Sequence, residues 1–283
     1  MSQITDKPLY DYSTFKCSKI ITSLYSTSFS LGISLLNREL RDAIYAIYGF
    51  VRYADEIVDT FHEYDKELLL KEFKADTYKA IERKISLNPV LHSFQIVVNE
   101  FKIDHELIDA FLDSMEMDLQ GKSYDETSYH KYIYGSAEVV GLMCLKVFCE
   151  GNQALYDELK EPARSLGAAF QKVNFLRDLK DDFDDRGRVY FPGVDFSKFT
   201  PNDKIHIEAD IQKDFDHALE GIKKLPSSSK KGVYLAYRYY TKLFKKIKQK
   251  RPETIREERI RINNASKMYI MAKSYARYEL NMF

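Results

Sequence analysis

Two acidic stretches decide how this chain is read: Arg52-Tyr-Ala-Asp55-Glu56-Ile-Val-Asp59 and Gln171-Lys-Val-Asn174-Phe-Leu-Arg177-Asp178-Leu-Lys-Asp181-Asp182. In the first, Asp55 and Asp59 stand four apart, so on a helix both carboxylates leave one face. Like charges at that spacing repel. The neighbours Ala54, Ile57 and Val58 predict a partly buried helix, which raises the cost further. In the second, Gln171, Asn174, Asp178 and Asp182 follow at steps of three, four and four. That predicts one continuous polar stripe on a helix whose other face is apolar. Hard oxygen ligands on two facing helices suit Mg²⁺, which keeps waters and is completed by substrate phosphates. No His/Cys set accompanies them, so zinc is a poor candidate. Arg52 lies one turn before Asp55, and Arg177 directly precedes Asp178. Guanidinium forks match diphosphate oxygens. Together these groups describe a site that binds a diphosphate and stabilises it as a leaving group. A solvated helix face is the plainer reading of either stretch alone. Their joint occurrence, each with an arginine and apolar surroundings, favours the site.

Outward from these stretches, helical periodicity dominates. Ile44, Ile47, Tyr48 and Val51 repeat at i, i+3, i+4, i+7 and are continued by Ala54 and Val58. Leu107, Phe111, Leu112, Met115 and Leu119 predict a helix over 106–119. Leu166, Ala169, Phe170, Val173, Leu176 and Leu179 predict another over 163–179, and 268–278 is compatible with a last one. No Asn-Gly or Asp-Gly hairpin appears and no strand pattern persists. Breaks fall at Asn88-Pro89, Gly121–Ser128, Gly151-Asn152 and Arg186–Pro201, the last with the composition of a loop or flap. None has the composition of an interdomain linker. The expectation is all-α, about ten or more helices in a single domain spanning 1–283.

Composition narrows the function. Of the 283 residues 45% are hydrophobic and 14% aromatic, which excludes wholesale disorder. With 11 Gly and 7 Pro the chain lacks the turn residues of a β-sandwich. Lys+Arg and Asp+Glu are both 43, which disfavours a globally basic nucleic-acid binder. Cys17, Cys144 and Cys149 are odd in number without a CxxC, so they read as small core residues in a reducing compartment. The N-terminus carries no apolar signal-peptide run, and no stretch approaches 18 consecutive apolar residues. The expected location is cytoplasmic, at most peripheral on the inner face of a membrane. The basic stretch Lys242–Arg251 has two readings: a solvated helix face, or an electrostatic contact with an anionic membrane.

Several segments resemble the squalene/phytoene synthase family of head-to-head prenyl synthases, over roughly 17–275. Tyr25-Ser26-Thr27-Ser28-Phe29 is similar to the family's (His/Tyr)-Ser-x-Ser-Phe segment. Tyr45-Ala-Ile-Tyr48-Gly-Phe-Val-Arg52-Tyr-Ala-Asp55-Glu56-Ile-Val-Asp59 resembles its first aspartate-rich helix, in the form associated with phytoene synthases. Tyr132-Ile-Tyr134-Gly-Ser136-Ala137-Glu138-Val-Val-Gly141 resembles its central segment. Gln171-x-x-Asn174-x-x-Arg177-Asp178-x-x-x-Asp182 resembles the second aspartate-rich helix, and Arg186-Gly-Arg188-Val-Tyr190-Phe191-Pro192 the flap after it.

The resemblance implies the all-α isoprenoid-synthase fold around a deep central cavity, with a prenyl diphosphate as substrate. One allylic diphosphate ionises and its carbocation alkylates the double bond of another. The cyclopropyl diphosphate formed then ionises and rearranges. Phytoene synthases end by proton loss, so no NADPH is expected, whereas squalene synthases reduce with it. Carried over position by position, Asp55, Asp59, Asn174, Asp178 and Asp182 are implied Mg²⁺ ligands. Tyr48, Arg52, Gln171 and Arg177 are implied to contact diphosphate or the metal's surroundings, and Tyr25, Ser26, Thr27 and Ser28 the other diphosphate. Tyr132 would handle a proton or stabilise a cation, Phe29 would offer its ring face to a carbocation, and Tyr240 would contact substrate. Ser26 and Ser28 also read as helix caps, and Tyr48, Tyr132 and Phe29 as core residues.

Two departures stand out. Thr27 occupies a position that is usually basic, and Glu138 replaces the glycine of the central Ala-Gly pair. A glutamate lining an apolar cavity is costly unless it faces away or is paired. The activity implied is a phytoene synthase joining two geranylgeranyl diphosphates. The alternatives are a squalene or dehydrosqualene synthase acting on farnesyl diphosphate, and a non-catalytic relative serving as an assembly factor. The last would be expected to lose carboxylates that this chain keeps.

Overall fold

The structure is a computed structural model that describes residues 6–120, 124–180, 190–195 and 198–279. Among these residues there is no strand. The helices are α1 (Asp6–Tyr25), α2 (Thr27–Ser34), α3 (Arg38–Asp59), α4 (Lys66–Arg83), α5 (Pro89–Phe101), α6 (His105–Gln120), α7 (Glu126–Ile133), α8 (Val139–Phe148), α9 (Gln153–Arg177), α10 (Pro201–Lys224), α11 (Ser227–Lys248), α12 (Pro252–Glu257) and α13 (Asn264–Glu279). A π-helical turn, Tyr134–Glu138, joins α7 to α8.

The sequence breaks become helix starts with identifiable chemistry. Asn88 caps α5, its Oδ1 accepting from the Val90 and Leu91 amides at 3.0 and 3.3 Å, with Pro89 in the first turn. Gly151 turns the chain at φ +84°, and Asn152 then caps α9 through the Leu155 amide at 3.1 Å. Thr200 and Asp203 form a reciprocal capping box at the start of α10. Part of the Arg186–Pro201 loop, including Arg186, Gly187 and Arg188, lies outside the described residues.

α3 is the axis of the core. Its Ala46, Ile47, Phe50 and Ala54 are buried. The Phe50 ring stacks on Phe94 of α5 at 3.9 Å between centroids and tilts against Phe111 of α6 at 5.4 Å. A second apolar cluster joins α9, α10 and α11 through Phe215, Tyr237 and Phe244. Of the cysteines only Cys149 is buried. Cys17 and Cys144 are partly buried, and Cys144 packs against the core while also lining the central cavity.

Helices α2 and α11 approach closely where Gly32 meets Gly232. A Cβ on Gly232 would stand 2.5 Å from Leu36 Cδ2 and 2.6 Å from the Gly32 carbonyl oxygen. The backbone oxygen cannot move without shifting a helix, so this contact fixes one wall of the cavity. Gly232→Val is expected to cost about 1–3 kcal/mol through overpacking, read as a lowered urea midpoint. An unchanged midpoint would show that the wall yields freely.

Candidate active site

The face of α3 opposite the Phe50 stack carries Tyr48, Arg52, Asp55 and Asp59, at steps of four, three and four, which set them along one side of the helix. All four line one cavity of about 690 Å³. Arg52 pairs with Glu56, lies 4.0 Å from Asp55, and stacks its guanidinium 4.4 Å from the centre of the Tyr25 ring. Its Nε is buried and has no acceptor among the described residues. Tyr48 has its phenol pushed up to about 12, first by burial, and hydrogen-bonds Ser26. Asp55 is pushed up to about 8. Burial is the largest cause, Arg52 opposes it, and Asp59, Asp118 and Glu56 add repulsion. The third of its side chain left exposed opens into the cavity rather than bulk water. A divalent cation there would draw the carboxyl back to its ionised form.

The second arm comes from α9. Gln171, Asn174, Arg177 and Asp178 line the same cavity. Gln171 Nε2 donates to Ser136 Oγ on the π-helical turn at 3.2 Å. Asn174 Oδ1 accepts from the Tyr240 hydroxyl at 3.3 Å, and the Tyr240 ring stacks on Phe170 at 3.8 Å. The polar stripe is not one continuous helix. α9 ends at Arg177, and Asp178 is its C-cap with φ −101° and ψ 8°. Adjacent residues on a helix diverge by about 100°, so the Arg177–Asp178 pair forms because the backbone leaves helical geometry there. Arg177 Nε donates to Asp178 Oδ1 at 2.9 Å, and Arg259 Nε approaches the same oxygen at 2.7 Å. Asp182, the fifth expected metal ligand, lies outside the described residues. From the flap, Tyr190 stacks on Phe175 at 3.9 Å.

The N-terminal segment divides. Tyr25, Ser26 and Phe29 line the cavity, whereas Thr27 is exposed and Ser28 is half-buried away from it. Ser26 caps α2, accepting from the Phe29 amide at 3.2 Å. Helical rotation from that cap turns positions 29, 32 and 33 inward and 27 and 28 away. The expectation that Thr27 and Ser28 reach substrate is therefore corrected. Phe29 stands among Tyr48, Tyr240 and Phe170 with centroids 5.8, 6.1 and 6.4 Å away. Tyr132 is buried beside the cavity and donates to Asp118 Oδ2 at 3.0 Å. Neither Asp118 nor Arg259 belongs to the motifs read from the sequence. Each reaches the site only by folding, Asp118 near the end of α6 and Arg259 just after α12.

Glu138 is not among the cavity-lining residues. It turns outward from the π-helical turn and receives Arg164 Nε at 2.6 Å. Burial raises its carboxyl even so, against the pull of Arg164. The cavity also has apolar walls, including Ile33, Leu36, Phe148 and Ile222.

Asp55, Asp59, Asp178 and the Asn174 amide oxygen are hard donors only. That donor set fits Mg²⁺. Among the described residues no three His, Cys, Asp or Glu side chains form a metal cage by themselves. Water and substrate phosphate would fill the remaining positions.

The sequence model of the squalene/phytoene synthase family matches residues 22–266. A 4,4′-diapophytoene synthase of Staphylococcus haemolyticus is 28% identical over 202 residues, covering 70% of this chain and 68% of that protein. Chloroplastic phytoene synthase 2 of Solanum lycopersicum is 28% identical over 259 residues, covering 82% and 80%. A crystal structure of a dehydrosqualene synthase in complex with a ligand superposes with a TM-score of 0.82 at 19% identity, covering 95% of this chain and 98% of that one. The all-α isoprenoid-synthase fold implied by the sequence is the fold observed.

Arg164→Met leaves Glu138 without its partner in a largely buried place. A loss of about 1–3 kcal/mol is expected, below the fully buried case because Arg164 is partly exposed. Glu138 then titrates still higher, so the deficit is full at neutral pH, above the raised value. It fades as pH falls below the unfolded-state value of about 4.3. Urea titrations at neutral pH and at about pH 4 measure it. An equal deficit at both would assign it to lost packing instead.

Proposed function

The chain belongs to the squalene/phytoene synthase family, and on that premise we propose that it is a Mg²⁺-dependent phytoene synthase, joining two geranylgeranyl diphosphates head to head with release of diphosphate. Members of this family are prenyltransferases acting on prenyl diphosphates. The observation that carries the reading is the polarity of one cavity. Two acidic arms with three arginines share its lining with apolar helix faces. Such a cavity takes an anion on a hydrocarbon tail.

Asp55 and Asp59 from α3, with Asn174 and Asp178 from α9, would hold the metal. Bound Mg²⁺ would neutralise diphosphate charge and so favour C–O cleavage. Arg52 offers its buried Nε, and Arg177 and Arg259 can exchange Asp178 for phosphate oxygens. Tyr48 and Tyr240 hold the boundary between polar and apolar ends. Phe29, Phe170 and Tyr240 present ring surface that stabilises a carbocation without adding to it. The deep walls exclude water, which would quench the cation as an alcohol. Tyr132, held by Asp118, stands where a proton lost in the last step could be received.

The geranylgeranyl reading is supported by the phytoene synthase relative. The diapophytoene synthase relative favours a second reading, the same reaction on farnesyl diphosphate. Incubation with each diphosphate and Mg²⁺, without reductant, and mass analysis of the hydrocarbon separate the two. Phytoene from geranylgeranyl diphosphate is expected. Asp55→Ala and Asp178→Ala should each lower turnover by about a hundred-fold or more with unchanged helical circular dichroism. Near-normal turnover in both would remove the metal assignment.

A further inference from the structure

α1 is built inside out. Its inward face, which lies across α3 and α5, carries Thr14, Ser18 and Thr22, all buried. Their hydroxyls are satisfied locally: Thr14 donates to the Asp11 carbonyl at 2.7 Å, Thr22 to the Ser18 carbonyl at 2.9 Å, and Ser18 pairs with Ser93 Oγ at 2.8 Å. Small hydroxyl residues let the helix sit close, with Ser18 against Gly49. Phe15 and Ile21 flank that face and pack against the core, yet the outward face carries large apolar residues too. Leu9, Tyr12, Ile20 and Leu24 are 50, 55, 59 and 79% exposed. At about 100° per residue they fall within one arc of roughly 120°, with exposed Lys16 inside the arc and Lys19 at its edge. Lys16 Nζ lies 4.8 Å from the centre of the Tyr12 ring.

The helix that carries this ridge also supplies a cavity-lining residue. α1 ends at Tyr25, itself half exposed, which lines the cavity and carries Arg52 on its ring. Contiguous exposed apolar surface of this kind marks an interaction site. The lysines choose the partner. A two-fold contact between copies through the ridge would set Lys16 and Lys19 against their own mates, whereas an anionic lipid surface attracts them. The basic stretch 242–251 lacks this combination. Leu243, Phe244 and Ile247 turn into the core, and Lys242, Lys245, Lys246, Lys248, Gln249 and Arg251 face solvent.

We propose that the outward face of α1 docks on an anionic bilayer through Leu9, Tyr12, Ile20 and Leu24, with Lys16 and Lys19 at the headgroups. Docking there seats the cavity mouth at the membrane. The prenyl chains that enter and the hydrocarbon that leaves then pass between lipid and cavity without crossing water. The choice of cargo rests on the synthase reading, and the docking surface does not.

Sedimentation of the full chain with phosphatidylcholine vesicles, with and without phosphatidylglycerol, tests the proposal. The chain is expected to sediment with the anionic vesicles and to be released by salt. Leu9→Ser/Ile20→Ser/Leu24→Ser should lower the partition by about ten-fold or more, with helical circular dichroism and product formation from detergent-dispersed substrate unchanged. Lys16→Gln and Lys19→Gln should each lower it by about five-fold. A wild-type chain that stays in the supernatant, or a triple variant that sediments like wild type, would overturn the docking surface. So would light scattering that shows a dimer converted to monomer by the triple variant, which assigns the ridge to self-contact. Vesicle partition needs no substrate, so loss of product with partition intact counts against the synthase reading alone.

Discussion

Carboxylates crowded at one end of an apolar cavity are the constraint on which the rest of this structure turns. Asp55, Asp59 and Asp118 repel one another where burial already disfavours charge, and the raised titration of Asp55 registers both effects. Arginines are the counterweight within the chain: Arg52 beside Asp55 and Glu56, and Arg177 with Arg259 on Asp178. The arrangement is self-neutralised but exchangeable. Each guanidinium now satisfied by a carboxylate could instead grip a phosphate, and each carboxylate released could turn to a cation.

Holding such a cluster requires rigid supports. α3 serves as both core and site because its two faces differ. One face packs Phe50 between Phe94 and Phe111, and the other carries Tyr48, Arg52, Asp55 and Asp59. The interleaved aromatic packing fixes the rotation of the helix, and rotation fixes where the carboxylates aim. On the opposite wall the break at Asp178 does comparable work, since a regular helix would have separated that carboxylate from Arg177. Glu138 keeps its charge away from the hydrocarbon end by pairing outward with Arg164, so the substitution of the usual glycine leaves the cavity apolar.

α1 reverses the usual placement of polar and apolar residues. Hydroxyls that close their own hydrogen bonds are cheap to bury, and their small size allows tight helix contact. The large side chains are then free to face outward. No helix among the described residues is long and apolar enough to cross a membrane.

Much of this was legible in the sequence. Spacing along a helix is local geometry, so residues that repeat at three and four had to share a face. The shared face of Asp55 and Asp59, that of Gln171 and Asn174, and the all-α class follow from that alone, and the breaks at Asn88-Pro89 and Gly151-Asn152 were legible from their turn residues. Contacts between distant segments have no such periodic mark. Asp118 beneath Tyr132, Arg259 on Asp178, the outward turn of Glu138 and the placement of Thr27 and Ser28 off the cavity depend on how helices rotate against one another. That rotation is set by packing summed over the whole core, so only the tertiary structure decided them.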